Sequence, residues 1–265
     1  MTIFKFELKQ LSVSTVLWSI ILGVTIFLMT PVYIDMLTGT DMSSISGLSN
    51  QGYYETMGTN LQILSTPLGA YAFLTTFVLF ACAVHGMNVG LSMMTKEYRG
   101  ATADFILTKP YSRSKVFVSK LLAGLLATLA VGVAYFVGSW LGMAAGAKGA
   151  YSFQAMALIA GSAIFVQWIF LFLGMLLGVL WPHLRTTVTV SSGVSFFAFV
   201  TGSFSYKMGF VWLGFLSPFT YFKGADIIST QRYDPVNLMV FLLVSAATLL
   251  AGHHYFRKKD VTLVS

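Results

Sequence analysis

No Asp, Glu, Lys or Arg stands between Lys9 and Asp35, and the same gap recurs along the chain. Between Glu55 and Lys96 only His85 can gain or lose charge near neutral pH. The intervals Lys120–Lys148, Lys148–Arg185, Arg185–Lys207 and Asp234–Arg257 are likewise free of acids, lysines and arginines. A helix crosses a hydrocarbon core of roughly 30 Å with about 20 apolar residues. In lipid, backbone groups must be satisfied within the segment, so each such run is expected to be helical. The gaps predict six spans, at about 12–34, 67–94, 121–147, 152–181, 186–206 and 235–256. Charged residues make up only 9% of the sequence, against roughly 25% in soluble domains, too few to cover a water-facing surface. Met1 to Pro31 looks like a signal peptide. Its apolar run is too long for one, however, and no small-residue cleavage site follows, so it reads as a retained first span.

The stretch at 208–228 fits none of these spans. Its apolar part is short and interrupted by Gly209, Gly214 and Pro218, which predicts a re-entrant or interfacial helical segment before span six. The alternative is a seventh span, which would place Lys223 and Asp226 in lipid and move the C-terminus across the membrane.

Orientation follows from the placement of the basic residues. Lys5 and Lys9, the loop at 95–120, Arg185 and the tail from Arg257 hold twelve of the sixteen. The loop at 35–66 carries Asp35, Asp41 and Glu55 and no Lys or Arg. Both termini are therefore expected in the cytoplasm, with 35–66 outside, and the net charge of +7 marks topology rather than nucleic-acid binding. The whole chain, 1–265, is expected to be one all-α transmembrane domain. Cys82, the single cysteine, permits no intrachain disulfide and reads as a small buried hydrophobe.

The informative segment is KEYRGATADFILTKPYSRSKVFVSKLL, residues 96–122. It reads as a helix end, a break at Gly100, a short helix near 102–108, a stop at Pro110, and re-entry. Ser112 is placed to cap the next helix, with Lys115 and Lys120 at head-group level. Near the N-terminus, 4–10 reads as an interfacial helix, with Phe4 and Leu8 on one face and Lys5 and Lys9 at the surface.

The pattern of Glu97, Gly100, Thr102, Leu107, Pro110, Ser112, Arg113 and Lys120 resembles the ABC-2 type permeases. The layout of six spans, with a large loop after span one and a basic loop after span two, is similar too, as is Ser217–Pro218–Phe219 before span six. Ala101 departs from the pattern by separating Gly100 from Thr102. The resemblance implies that the short helix after span two is a coupling helix seated in a separate ABC ATPase. Glu97, Arg99, Gly100, Thr102, Asp104, Phe105, Lys109, Pro110 and Arg113 would then form the ATPase-coupling set. It makes Phe4, Lys5, Glu7 and Leu8 an elbow helix. It also implies two ATPase copies and a second permease, identical or homologous, in the lipid of a bacterial plasma membrane. The dimer contact would fall on spans one and five, near Ser191, Ser192, Gly193 and Ser195.

The chain contains no G-x-x-x-x-G-K-[ST] phosphate loop, so it is read as a non-enzymatic subunit without cofactor, with ATP and Mg bound by its partner. Its expected work is export of an amphipathic or hydrophobic substrate, by preference a peptide toxin or peptide antibiotic. The alternatives are a non-transporting assembly or immunity factor with the same fold, and an intramembrane transferase. Ion-coupled transport is disfavoured, because no acid or strong base falls within a span. Candidate gate or path residues are Phe196, Phe197, Phe204, Trp212 and Phe215, with His85 inside span two. Glu97 and Arg99 are expected to pair with each other or with the ATPase. No metal site is expected. The fourfold spacings Gly138–Gly142–Gly146 and Gly174–Gly178 are expected to bring helices close within one subunit.

Overall fold

The computed structural model describes residues 3–38, 61–99, 112–149, 151–208 and 211–258. Six long helices dominate the described residues: α1 (Ile3–Thr38), α2 (Pro67–Arg99), α3 (Arg113–Gly146), α4 (Phe153–Leu180), α5 (Thr187–Met208) and α6 (Pro235–Lys258). All six are long and apolar enough to cross a membrane, and no strand occurs among the described residues. The six expected spans are all present.

Their ends lie further out than hydropathy indicates. α1 has 36 residues and is about 54 Å long at 1.5 Å per residue, well beyond the bilayer core. Residues 4–10 are its first turns rather than a separate elbow, since the helix runs unbroken from Ile3. α3 likewise begins eight residues before the expected span, where the Ser112 side chain accepts from the Lys115 N–H at 3.3 Å. That cap is the one expected from sequence.

Two parallel helix pairs form the body. α1 lies along α3, and α2 lies along α4. Small residues set both approaches. A methyl on Gly138 would meet the Gly23 carbonyl at 2.3 Å, and one on Gly142 or Gly146 would meet Thr30 or Pro31. Between α2 and α4, Gly86 faces the Gln167 carbonyl, and Gly174 faces that of Met87. Both expected glycine stripes therefore pack inside one subunit. Without hydrophobic gain inside lipid, such close backbone contact is what holds spans together.

The core runs through α2 and α4, where Ala83, Met87, Ala160, Ala163 and Val166 are fully buried. Hydroxyls within the spans bond mainly to their own helices, as Thr30 does to the Ile26 carbonyl at 2.7 Å and Thr128 to that of Gly124 at 2.9 Å. Such bonds spend the hydroxyl proton on the helix's own backbone. α1 instead exposes a helical stripe of Val13, Leu17, Ile20, Val24 and Leu28, suited to lipid.

Between α5 and α6 the chain forms three short pieces: a helix at Val211–Gly214, a 3₁₀ turn at Pro218–Thr220 and a helix at Gly224–Thr230. They dip deep along α4. Phe219 lies 5.5 Å from Phe170 between ring centroids, and Phe222 stacks on Phe165 at 5.3 Å. Phe170 sits 17 residues into α4, about 25 Å along its axis. A segment reaching that far without crossing is re-entrant, as its interrupted sequence indicates.

Candidate functional site

The segment expected to couple to a motor, 100–111, lies outside the described residues, and so do Gly100, Thr102, Asp104, Phe105, Lys109 and Pro110. Arg99 closes α2, with its side chain likewise undescribed. The two helix ends that bracket this segment are well defined, and they meet α1 in a cluster of four charges.

Lys120, only 1% exposed, stands at its centre. Its Nζ donates to Glu7 Oε1 at 3.0 Å, to the Met93 carbonyl at 2.7 Å and to Glu97. An ammonium has three donors, and all three are engaged. Glu7 is 2% exposed, and its second oxygen accepts from Lys96, which also donates to Gln10. Lys96 further lies 5.8 Å above the Phe6 ring, within cation–π range. Two lysines and two glutamates cancel, so the cluster is neutral.

Burying isolated charges costs several kcal/mol each, and only complete pairing offsets this. The pairing here joins three helices: Glu7 from α1, Lys96 and Glu97 from α2, and Lys120 from α3. Sequence reasoning placed Lys120 at head-group level beside Lys115. Lys115 is indeed exposed, but Lys120 turns inward because two carboxylates and a helix-end carbonyl await it. Glu97, expected to pair with Arg99 or with the ATPase, binds Lys120, and the Arg99 side chain lies outside the described residues. Of the elbow residues, Phe4 and Leu8 pack on the apolar cluster around Met93, Phe117 and Met175, while Lys5 is exposed. Glu7 shares the face of Phe4 and Leu8, one helical turn away, which is the one local signal that it points inward.

Beside the cluster, Arg113 donates to the Arg257 carbonyl at 3.2 Å, and His253 lies 3.1 Å from Ser114 Oγ. These contacts fasten the last turn of α6 to the start of α3. Five of the six spans are thereby linked around one end of the bundle, α4 through the apolar residues beneath the charges.

His85 is buried in α2, where its Nδ1–H donates to Gln167 Oε1 of α4 at 3.1 Å and its ring lies 5.1 Å from Trp18 of α1. It ties helices together at mid-span. The aromatic gate candidates are mostly outward. Phe196, Phe197, Phe204, Trp212 and Phe215 are each 42–73% exposed. Phe196 meets Phe80 edge-on at 6.5 Å, and Phe197 and Phe215 border one cavity. Of the expected dimer residues, Ser191 and Ser195 are fully buried within the chain, whereas Gly193 faces open space.

A family model described as ABC-2 family transporter protein matches residues 1–261. No curated protein matches the chain. With that match over almost its full length and six apolar spans, the chain belongs to the ABC-2 family of transporter proteins, as a multi-pass membrane permease that works with an ABC ATPase.

Proposed function

We propose that this permease is the membrane half of an ATP-driven exporter in a bacterial plasma membrane, with both termini cytoplasmic. It moves an amphipathic or hydrophobic substrate outward, by preference a peptide toxin or peptide antibiotic. Two copies of a separate ATPase bind ATP and Mg, and a second permease, identical or homologous, completes the path. Residues 100–111 dock on the ATPase, with Arg99 and Arg113 at their edges.

One observation supports this most. The helix ends on either side of 100–111 are cross-tied through Glu97 and Lys120, and the same lysine holds Glu7 of α1. A displacement of that segment is therefore delivered to α1, α2 and α3 together. A solvated loop that served only to set topology would need no buried, fully paired anchor at its base. The sequence shows no phosphate loop, which agrees with a reading in which a separate ATPase supplies the energy.

Co-purification from the native membrane tests the reading. A soluble ATPase should accompany the wild-type chain and be lost on deletion of 102–108, and candidate peptides should stimulate its ATP hydrolysis. Recovery without any ATPase, or labelling of an Arg113→Cys variant from outside intact cells, would overturn the proposal. ATPase recovery with no export and no stimulation would mark an assembly or immunity factor instead.

A further inference from the structure

α5 packs against α2 and against the re-entrant pieces, but it does not lie flush along α4 or α6. The space left between them is a cavity of about 350 Å³, walled by Phe170 and Leu173 of α4, Val194 and Ala198 of α5, and Val244 of α6. Its size falls in the range of small-ligand sites, roughly 300–1,000 Å³. The hydroxyls around it are already engaged. Thr201 donates to the Phe197 carbonyl at 2.7 Å, Thr248 to that of Val244 at 2.8 Å, and Tyr221 to that of Phe215 at 2.5 Å. With these hydroxyl protons spent on backbone carbonyls and the rest of the lining apolar, the site offers water few partners, and an unfilled one forfeits dispersion contacts along its walls. Its lining suits hydrocarbon.

The geometry indicates where that hydrocarbon comes from. Residues 215–218 roof the cavity at the level of Gly202, whose added methyl would meet Ser217 at 2.5 Å. The opposite end, at Val194 and Leu173, lies seven residues from the start of α5 and from the end of α4, about 10 Å from that side of the bundle. Exposed Arg185 lies there between α4 and α5, and α6 ends there in exposed Arg257 and Lys258. The rim residue Phe197 is 73% exposed, so the cavity opens sideways between spans.

We propose that this cavity holds an acyl chain of an anionic phospholipid, with its head group on the side of Arg185 and Arg257. The chain enters from that leaflet and ends beneath the re-entrant roof. The assignment is independent of whether the permease exports anything.

The test uses the full chain in proteoliposomes containing phosphatidylglycerol with a diazirine at the end of one acyl chain, and in a parallel arm the same group on phosphatidylcholine. Photolabelling should concentrate on 169–173, 194–201 and 244–248 over the α1 stripe at 13–28, and should be stronger with phosphatidylglycerol. Ala198→Phe, and from the opposite wall Val244→Phe, should reduce labelling of the cavity to the level of the α1 stripe. Wild-type labelling no denser in the cavity than on α1 would overturn the site, as would labelling undiminished in both filled variants. Equal labelling by the two lipids would overturn the anionic assignment. Cross-links joining Phe197→Cys between two copies, with the cavity shielded from lipid, would show that a second subunit fills it instead.

Discussion

Glu7 Oε1 and Lys120 Nζ lie 3.0 Å apart although 113 residues separate them, and both side chains are almost completely buried. Removing one member leaves the buried cluster with a net charge and the other member with one partner fewer. Glu7→Gln or Lys120→Met is expected to lower stability by about 3–5 kcal/mol. The double variant leaves one lysine, Lys96, and one glutamate, Glu97, so the cluster stays neutral, and it should recover part of that loss. Thermal unfolding in detergent, followed by size-exclusion profile, reads both effects. Additive losses would show that the two groups do not act on each other.

The glycine contacts separate positions with similar sequence context. Gly138→Val drives a branched side chain into the Gly23 carbonyl and should part α1 from α3, at a cost of roughly 1–3 kcal/mol or more. Gly193→Ala meets nothing within 4 Å and should leave the melting temperature of the isolated subunit unchanged. A loss of dimer in that variant alone would place α5 at the subunit contact.

Tyr233 closes the loop before α6, and its hydroxyl donates to the Leu158 carbonyl at 2.7 Å. Burial pushes its phenol above the ordinary value, helped by Tyr71. A raised acid favours the neutral form in the folded state. Its contribution is therefore complete below the ordinary tyrosine pKa of about 10 and is lost as pH rises through the higher folded value. Tyr233→Phe should cost about 1 kcal/mol at pH 7 and flatten the fall in stability above pH 10. An unchanged alkaline profile would remove the role of this residue.

Phe204 and Trp212 test the gate. If they seal the path on the far side of the membrane, alanine at either should raise substrate leak in proteoliposomes or release ATP hydrolysis from transport. Unchanged transport and unchanged hydrolysis in both variants would reduce them to lipid-facing aromatics.

The six spans were legible because ionic side chains are excluded from the hydrocarbon region, and their absence over 20 residues leaves little alternative. Helix ends were less so. The turns at 3–11 and 113–120 carry charge, and hydropathy cannot distinguish a helix that outruns the bilayer from a loop. The glycine spacings on α3 and α4 announce close packing, while Gly86 and Gly90 on α2 acquire their role only from the α4 backbone they meet. Beyond the placement of Glu7 on the face of Phe4 and Leu8, the charge cluster has no sequence signature. Its members come from three distant segments, and only the tertiary fold sets Lys120 between Glu7 and Glu97. The pairing of His85 with Gln167 across α2 and α4 was hidden for the same reason.

The anchoring of α1 bears on the order in which the bundle can assemble. Glu7 leaves the ribosome long before Lys120 exists, so its carboxylate lacks the partners it holds in the fold until α2 supplies Lys96 and α3 supplies Lys120, while Lys5 and Lys9, two residues away, lie on other faces of α1. The anchor as seen in the fold can close only once the third helix has been made.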